Sequence, residues 1–502
     1  MHMSHDQFIA TLALIGLVIL VSSLLSGAVE RSGLPQVAIF LALGAVLGPA
    51  GLGLIELPLE SESVEVIATL GLLLVLFTDA ISVDLGEVRA QRRLSGVILG
   101  PGTFLPAALI ALAAWLLLDL PVAAAAILGA ALASTDPVLL RTLIRNPALP
   151  PVSRLALRLE SGMNDVVLLP IVVLGMLALE AGGGAMTAEV GRRVVGLFLL
   201  GPLLGLLVGY AAITLLDRVR TRVSVRRDYE SIYALGVAFT AFAAAEAVGG
   251  SGFLAAFGAG FVIAALDVEL CDCFLDYGQA TAEMFLLLTF VAFGGSIIWS
   301  GLEVADLRTL LFAAIALSVR TVVLLPVLAW TGVERGSRRI IAWAGPRGLS
   351  TLLLALLPVF AGIEGAVPLF QVACLVVLLS VLLHGGGIAV FLRRASRALD
   401  GAGGGGPAAS SSFGSKQEPH RREGAPTPAA RERVPEKITI PELRHLWERN
   451  EPVTVVDVRT ERSYRDDPQI ARDAIRMPPD DAVRLARERG LDQHGTVVLY
   501  CT

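Results

Sequence analysis

Between residues 8 and 392 the chain divides into thirteen mostly apolar runs. They lie near 8–26, 34–50, 64–81, 95–118, 121–140, 160–179, 194–216, 229–248, 252–266, 281–299, 307–330, 339–360 and 367–392. A helix crossing a bilayer needs about 20 such residues. In lipid the backbone has no water to bond, so segments of this length fold as helices that satisfy their own polar groups. The pattern therefore predicts an all-α polytopic membrane protein of thirteen transmembrane helices. A hydrophobic content of 55% with only 17% charged residues belongs to the same class.

Arginine placement tests the number of spans. Loops after odd-numbered spans hold nineteen arginines and loops after even-numbered spans hold three. Cytoplasmic loops collect positive charge, so the N-terminus is expected outside and the C-terminus in the cytoplasm of a plasma (inner) membrane protein. The first run has no Lys or Arg before it, unlike a secretory signal, and is read as a retained span. Both lysines, Lys416 and Lys437, fall beyond the spans. No basic stripe with interleaved aromatics supports nucleic-acid binding. Four cysteines in 502 residues make no disulfide framework, and Cys271-Asp272-Cys273 lacks a second ligand pair for a metal. No cofactor is expected.

Two polar signatures interrupt these apolar runs. Ser134-Thr135-Asp136-Pro137 sits in the fifth, and Glu160-Ser161-Gly162-Met163-Asn164-Asp165 opens the sixth. An ionisable group at the bilayer centre costs roughly 2.5–3.5 kcal/mol on insertion scales, so such groups face a bundle interior or a water-filled cavity. Pro137 cannot donate to the preceding turn, which frees the carbonyl of Ala133 and breaks the span. Broken helices turn carbonyls and helix ends toward a central site. Glu160 and Asn164, four residues apart, share a helix face, and Asp165 is turned about 100° from Asn164. Asp165 can then face Asp136 while Glu160 faces another partner. Carboxylate, hydroxyl and carbonyl oxygens together suit a hard monovalent cation.

Arg320 lies inside the eleventh span and needs a carboxylate; Glu160 is the first candidate and Glu283 the alternative. Arg347, in Gly345-Pro346-Arg347-Gly348-Leu349, interrupts the twelfth span as Asp136-Pro137 interrupts the fifth. Seven spans separate the two breaks, which gives them opposite directions through the membrane. That spacing predicts two inverted six-helix repeats joined by the seventh span. Asp79 reads as interfacial at the end of the third span. His384, the one histidine within the runs, reads as a packed, hydrogen-bonded side chain.

Together these motifs resemble the monovalent cation:proton antiporter family, in its sodium/proton exchanger branch, over about residues 8–395. The resemblance implies a homodimer in which a mobile core moves against a scaffold, with broken crossing helices at the site. It implies that Asp165 is the main cation- and proton-binding carboxylate, with Asn164, Asp136, Thr135 and Ser134 around it. Glu160 and Arg320 would form a structural ion pair, and Pro137 and Arg347 would shape the crossing. An Asn-Asp pair in this family goes with electroneutral exchange. The implied activity is Na⁺/H⁺ antiport, with K⁺ and Li⁺ as further candidate cations. A cation channel using the same cavity and a membrane-tethered sulfurtransferase are the competing readings.

The composition changes after the last run. Residues 1–398 form the expected membrane domain, 399–436 a Gly/Pro/Ser-rich linker, and 437–502 a small α/β segment. Strands are expected over 453–458 and 496–500. Val455-Val456-Asp457-Val458-Arg459 and Val497-Val498-Leu499-Tyr500-Cys501 resemble an incomplete rhodanese-like domain. That resemblance makes Cys501 a vestigial active-site cysteine, because the loop that would follow it is absent from the sequence.

Overall fold

A computed structural model describes residues 36–49, 61–83, 85–144, 149–181, 188–220, 227–266, 272–295, 297–390, 453–459, 473–477 and 496–500, with isolated positions between. Most of the first expected span, the expected linker 399–436 and Cys501 fall outside the described residues. Two compact units divide the chain at Ala408.

The first unit is helical. Its helices are α1 (Gln36–Leu47), α2 (Glu62–Ile81), α3 (Leu85–Ala90), α4 (Arg92–Leu99), α5 (Pro101–Leu117), α6 (Val122–Ala133), α7 (Pro137–Ile144), α8 (Pro151–Glu180) and α9 (Ala188–Val195). They continue with α10 (Gly201–Arg220), α11 (Arg227–Ala247), α12 (Gly252–Ala265), α13 (Asp272–Gly295), α14 (Leu307–Val327), α15 (Arg335–Trp343), α16 (Leu349–Phe360) and α17 (Ala366–Ser380). Among the described residues, seven helical segments are long and apolar enough to cross a membrane. Shorter apolar helices include α1, α12 and α16.

Local chemistry sets the boundaries. Pro101 starts α5 at a position where a missing N–H costs little. Asp306 starts α14 with a capping box: its Oδ1 accepts from the Thr309 N–H at 2.7 Å, and its own N–H donates to Thr309 Oγ1 at 2.9 Å. Those bonds hold the exposed Asp306 carboxyl below its ordinary range. A π turn, Val381–Gly385, follows α17.

The helices pack in two groups. In one, α6 packs on α5 and α8, and α5 also packs on α14, while α16 and α17 close over α6. In the other, α12 is held between α10, α11 and α2, and α13 packs on α1 and α2. Small residues bring some of these axes close, as where Gly205 meets the Ala255 backbone. The groups touch where α2 meets α8 and α16, where α1 meets α7, and where the 3-10 turn Ile297–Leu302 after α13 packs on α17.

The second unit holds a parallel three-stranded sheet in the order β2–β1–β3, with β1 Val453–Asp457, β2 Ile475–Arg476 and β3 Thr496–Tyr500. Val455 pairs with Val498, and Val456 with both Leu499 and Ile475. Strand β2 escapes a sequence reading because two residues carry no periodicity. Arg459 binds Asp457 at 2.6 Å and lies over the Tyr500 ring, 5.7 Å from its centroid. The Arg459 guanidinium holds the Asp457 carboxyl below the usual carboxylate range.

Candidate functional site

Helix α6 ends at Ala133 and α7 starts at Pro137, leaving residues 134–136 extended. Helix α15 ends at Trp343 and α16 starts at Leu349, leaving 344–348 outside any helix. The two breaks cross, and the Asp136 N–H donates to the Pro346 carbonyl at 3.0 Å.

Each break exposes helix ends, and buried fixed charges answer them. Helix N-termini carry partial positive charge and unpaired N–H groups. Asp136 serves two of them. Its Oδ1 accepts from Val138 N–H at 2.7 Å, on α7, and its Oδ2 accepts from Leu349 N–H at 2.6 Å, on α16. Helix C-termini carry the opposite partial charge. Arg347 Nη1 donates to the carbonyls of Ala133 and Ser134 at 2.7 and 2.9 Å, which occupies the carbonyl that Pro137 frees. Arg320 Nη1 donates to the Ala342 carbonyl at 2.6 Å, at the end of α15.

The glycines of the second break follow from this crowding. A β carbon on Gly348 would overlap Asp136 Oδ2, and one on Gly345 would overlap the Arg320 side chain. Glycine is required at both places by close approach.

Helix α8 brings the remaining groups. Glu160 meets Arg320 in a two-pronged pair at 2.7 and 2.5 Å, with both side chains buried. One turn on, Asn164 Nδ2 donates to Thr135 Oγ1 at 2.8 Å. Beside it, Asp165 Oδ1 accepts from Ser134 Oγ at 2.5 Å. Ser350 is close enough to interact with the same carboxylate. Ser134, Thr135, Asp136, Asn164 and Asp165 are all buried. Among the described residues, Asp165 Oδ2 and Asn164 Oδ1 have no hydrogen-bond donor. Bare oxygens on two consecutive buried residues are costly unless a cation or proton completes them.

A cavity of about 420 Å³ opens beside this cluster, lined in part by Asp79, Pro137, Arg141, Arg158 and Ser161. Asp79, on α2, stands within electrostatic reach of both Asp165 and Asp136. The sequence reading placed Asp79 at the interface and did not assign Ser161. An acidic residue after the apolar run to Phe77 was the available signal for Asp79. Only the α2–α8 packing shows that it turns toward α8.

Crossed, discontinuous helices around buried carboxylates within a polytopic bundle define the secondary-transporter class of architecture. The chain belongs to the sodium/hydrogen exchanger family: the family model described as "Sodium/hydrogen exchanger, transmembrane" matches residues 16–394. Similar curated proteins include a K(+)/H(+) antiporter NhaP of Alkalimonas amylolytica, 26% identical over 388 residues, covering 76% of this chain and 66% of the relative. The K(+)/H(+) antiporter NhaP2 of Shewanella sp. (strain MR-4) is also 26% identical over 388 residues, covering 75% of this chain and 65% of the relative. The chain thus spans just under two thirds of the length of these relatives. The solved sodium proton antiporter MjNhaP1 of Methanocaldococcus jannaschii shares the fold at a TM-score of 0.61 and 20% identity, over 77% of this chain and 99% of that one.

Proposed function

We propose that the chain is a monovalent cation:proton antiporter that works by alternating access. The observation that carries this reading is the pair of bare oxygens, Asp165 Oδ2 and Asn164 Oδ1, beside the Ser134 and Thr135 hydroxyls. Asp165 takes either a proton or a cation. Either ligand neutralises the carboxylate, which lowers the cost of passing an apolar barrier. The empty, charged site stays behind, and this enforces exchange. Asn164, Ser134 and Thr135 are the neighbouring ligands. Asp136 supplies charge and orientation through the helix ends it caps. Na⁺ is the first candidate cation, with K⁺ and Li⁺ next, and the relatives named as K(+)/H(+) antiporters support including K⁺. One carboxylate holding one monovalent ion supports electroneutral exchange.

The same reading extends to the rest of the molecule. Thirteen spans form two inverted repeats, and the arginine-rich loops support an N-terminus outside and a tail in the cytoplasm. A homodimer in the plasma membrane is the assembly. Residues 399–436 link the membrane domain to a rhodanese-like segment, 437–502.

Exchange in proteoliposomes tests the site. Asp165→Asn is expected to abolish cation-dependent proton movement while the protein stays folded and monodisperse. Wild-type exchange by that variant overturns the assignment. Running Na⁺, K⁺ and Li⁺ at two membrane potentials reads cation choice and electroneutrality together.

A further inference from the structure

One backbone donor in the second break is satisfied from outside both crossing segments. Outside any helix, the chain at 344–348 gives Arg347 N–H no carbonyl one turn back, and a buried N–H requires a partner. It donates to Ser380 Oγ at 2.7 Å. Ser380, the last residue of α17, is itself buried. Its oxygen lies 3.1 Å from His384 Nδ1. His384 is buried in the π turn after α17. Its ring lies 5.9 Å, centroid to centroid, from that of Trp343, the last residue of α15.

A hydroxyl has one proton and two lone pairs. Ser380 Oγ accepts from Arg347 N–H and shares a further hydrogen bond with His384 Nδ1, whose direction the imidazole tautomer sets. Arg347 and Arg320 are the charged groups that act on the ring.

We propose that Ser380 and His384 are positioning residues for the cation site. Neither touches the cation. They fix the Arg347 backbone, and two contacts depend on it. The Arg347 guanidinium reaches Ala133 and Ser134, and Leu349 N–H, two residues on, reaches Asp136. Ser134 in turn orients Asp165. A shift at Arg347 therefore arrives at the carboxylate through the opposite break. The proposal rests on the cation-site reading above.

The test compares His384→Phe, His384→Asn and Ser380→Ala in proteoliposomes. His384→Phe keeps a ring but removes the hydrogen-bonding nitrogen. His384→Asn carries an amide that can accept or donate in place of Nδ1. His384→Phe and Ser380→Ala are expected to raise the apparent KM for the cation about fivefold, the effect of roughly one lost hydrogen bond. Maximal rate changes far less. His384→Asn is expected to restore KM to near wild type. A purely structural role would lower thermal stability and active fraction without this split or this rescue. Wild-type KM in both His384→Phe and Ser380→Ala overturns the proposal.

Deuterium exchange of peptides spanning 344–349 gives a second readout that needs no transport. Ser380→Ala and His384→Phe are expected to speed exchange at the Arg347 amide, and unchanged exchange in both overturns the proposal. If the wild-type protein moves no protons with cations, the transport reading fails instead, and the amide measurement still decides the positioning claim.

Discussion

Each fixed charge at the crossing is bound to a partner that a distant segment brings to it. Asp136 and Leu349 are 213 residues apart in sequence, and Glu160 and Arg320 are 160 apart. Removing one member of a buried pair leaves the other uncompensated, at a cost of about 3–5 kcal/mol. Glu160→Gln is therefore expected to lower the unfolding temperature in detergent sharply, and Glu160→Gln with Arg320→Gln to recover much of the loss. Full stability in the single variant would count against the pair's structural role. Gly348→Ala is expected to be worse than an ordinary core Gly→Ala change, because its methyl would overlap the Asp136 carboxylate, which hydrogen bonds to two helix ends hold in place. Fluorescence-detected size exclusion of the variant checks this: a monodisperse wild-type profile would show that the crossing yields.

Helix boundaries respond to chemistry within a few residues of them, and that is why the breaks are legible in the sequence. Pro137 stops α6, and Gly345-Pro346 separates α15 from α16, as their local sequence dictates. Partners across the fold are a different matter. The double cap by Asp136 needs the N-terminus of α16, and the link from Arg347 to His384 needs the end of α17; neither leaves a mark in local sequence. The turn of Asp79 toward α8 is hidden for the same reason, since a residue near a helix end shows only its position until the neighbouring helix is known. The Asp306 cap shows the local case in a measurable form. Its carboxyl is held below the ordinary value of 3.8 in the folded protein. Its contribution is then complete above that value and is lost as pH falls through the lower, folded one. Asp306→Ala is expected to melt below wild type at neutral pH, with the gap narrowing in acid. A gap that widens in acid would refute the cap.

Across the whole molecule, the cavity beside Asp79 carries Arg141 and Arg158 in its lining. Arginine-rich loops belong to the cytoplasmic side, so this cavity is expected to open there. Ser82 is exposed and lines the same cavity. In a background without the four native cysteines, Ser82→Cys should react with a membrane-impermeant maleimide in inside-out vesicles. Labelling only in right-side-out vesicles would reverse the orientation. The ties on α8 have a mechanical consequence. Glu160 fastens it to α14, and Asn164 and Asp165 fasten it to the first break. Under the alternating access proposed above, the elements these bonds join, α8, α14 and the first break, are expected to move together.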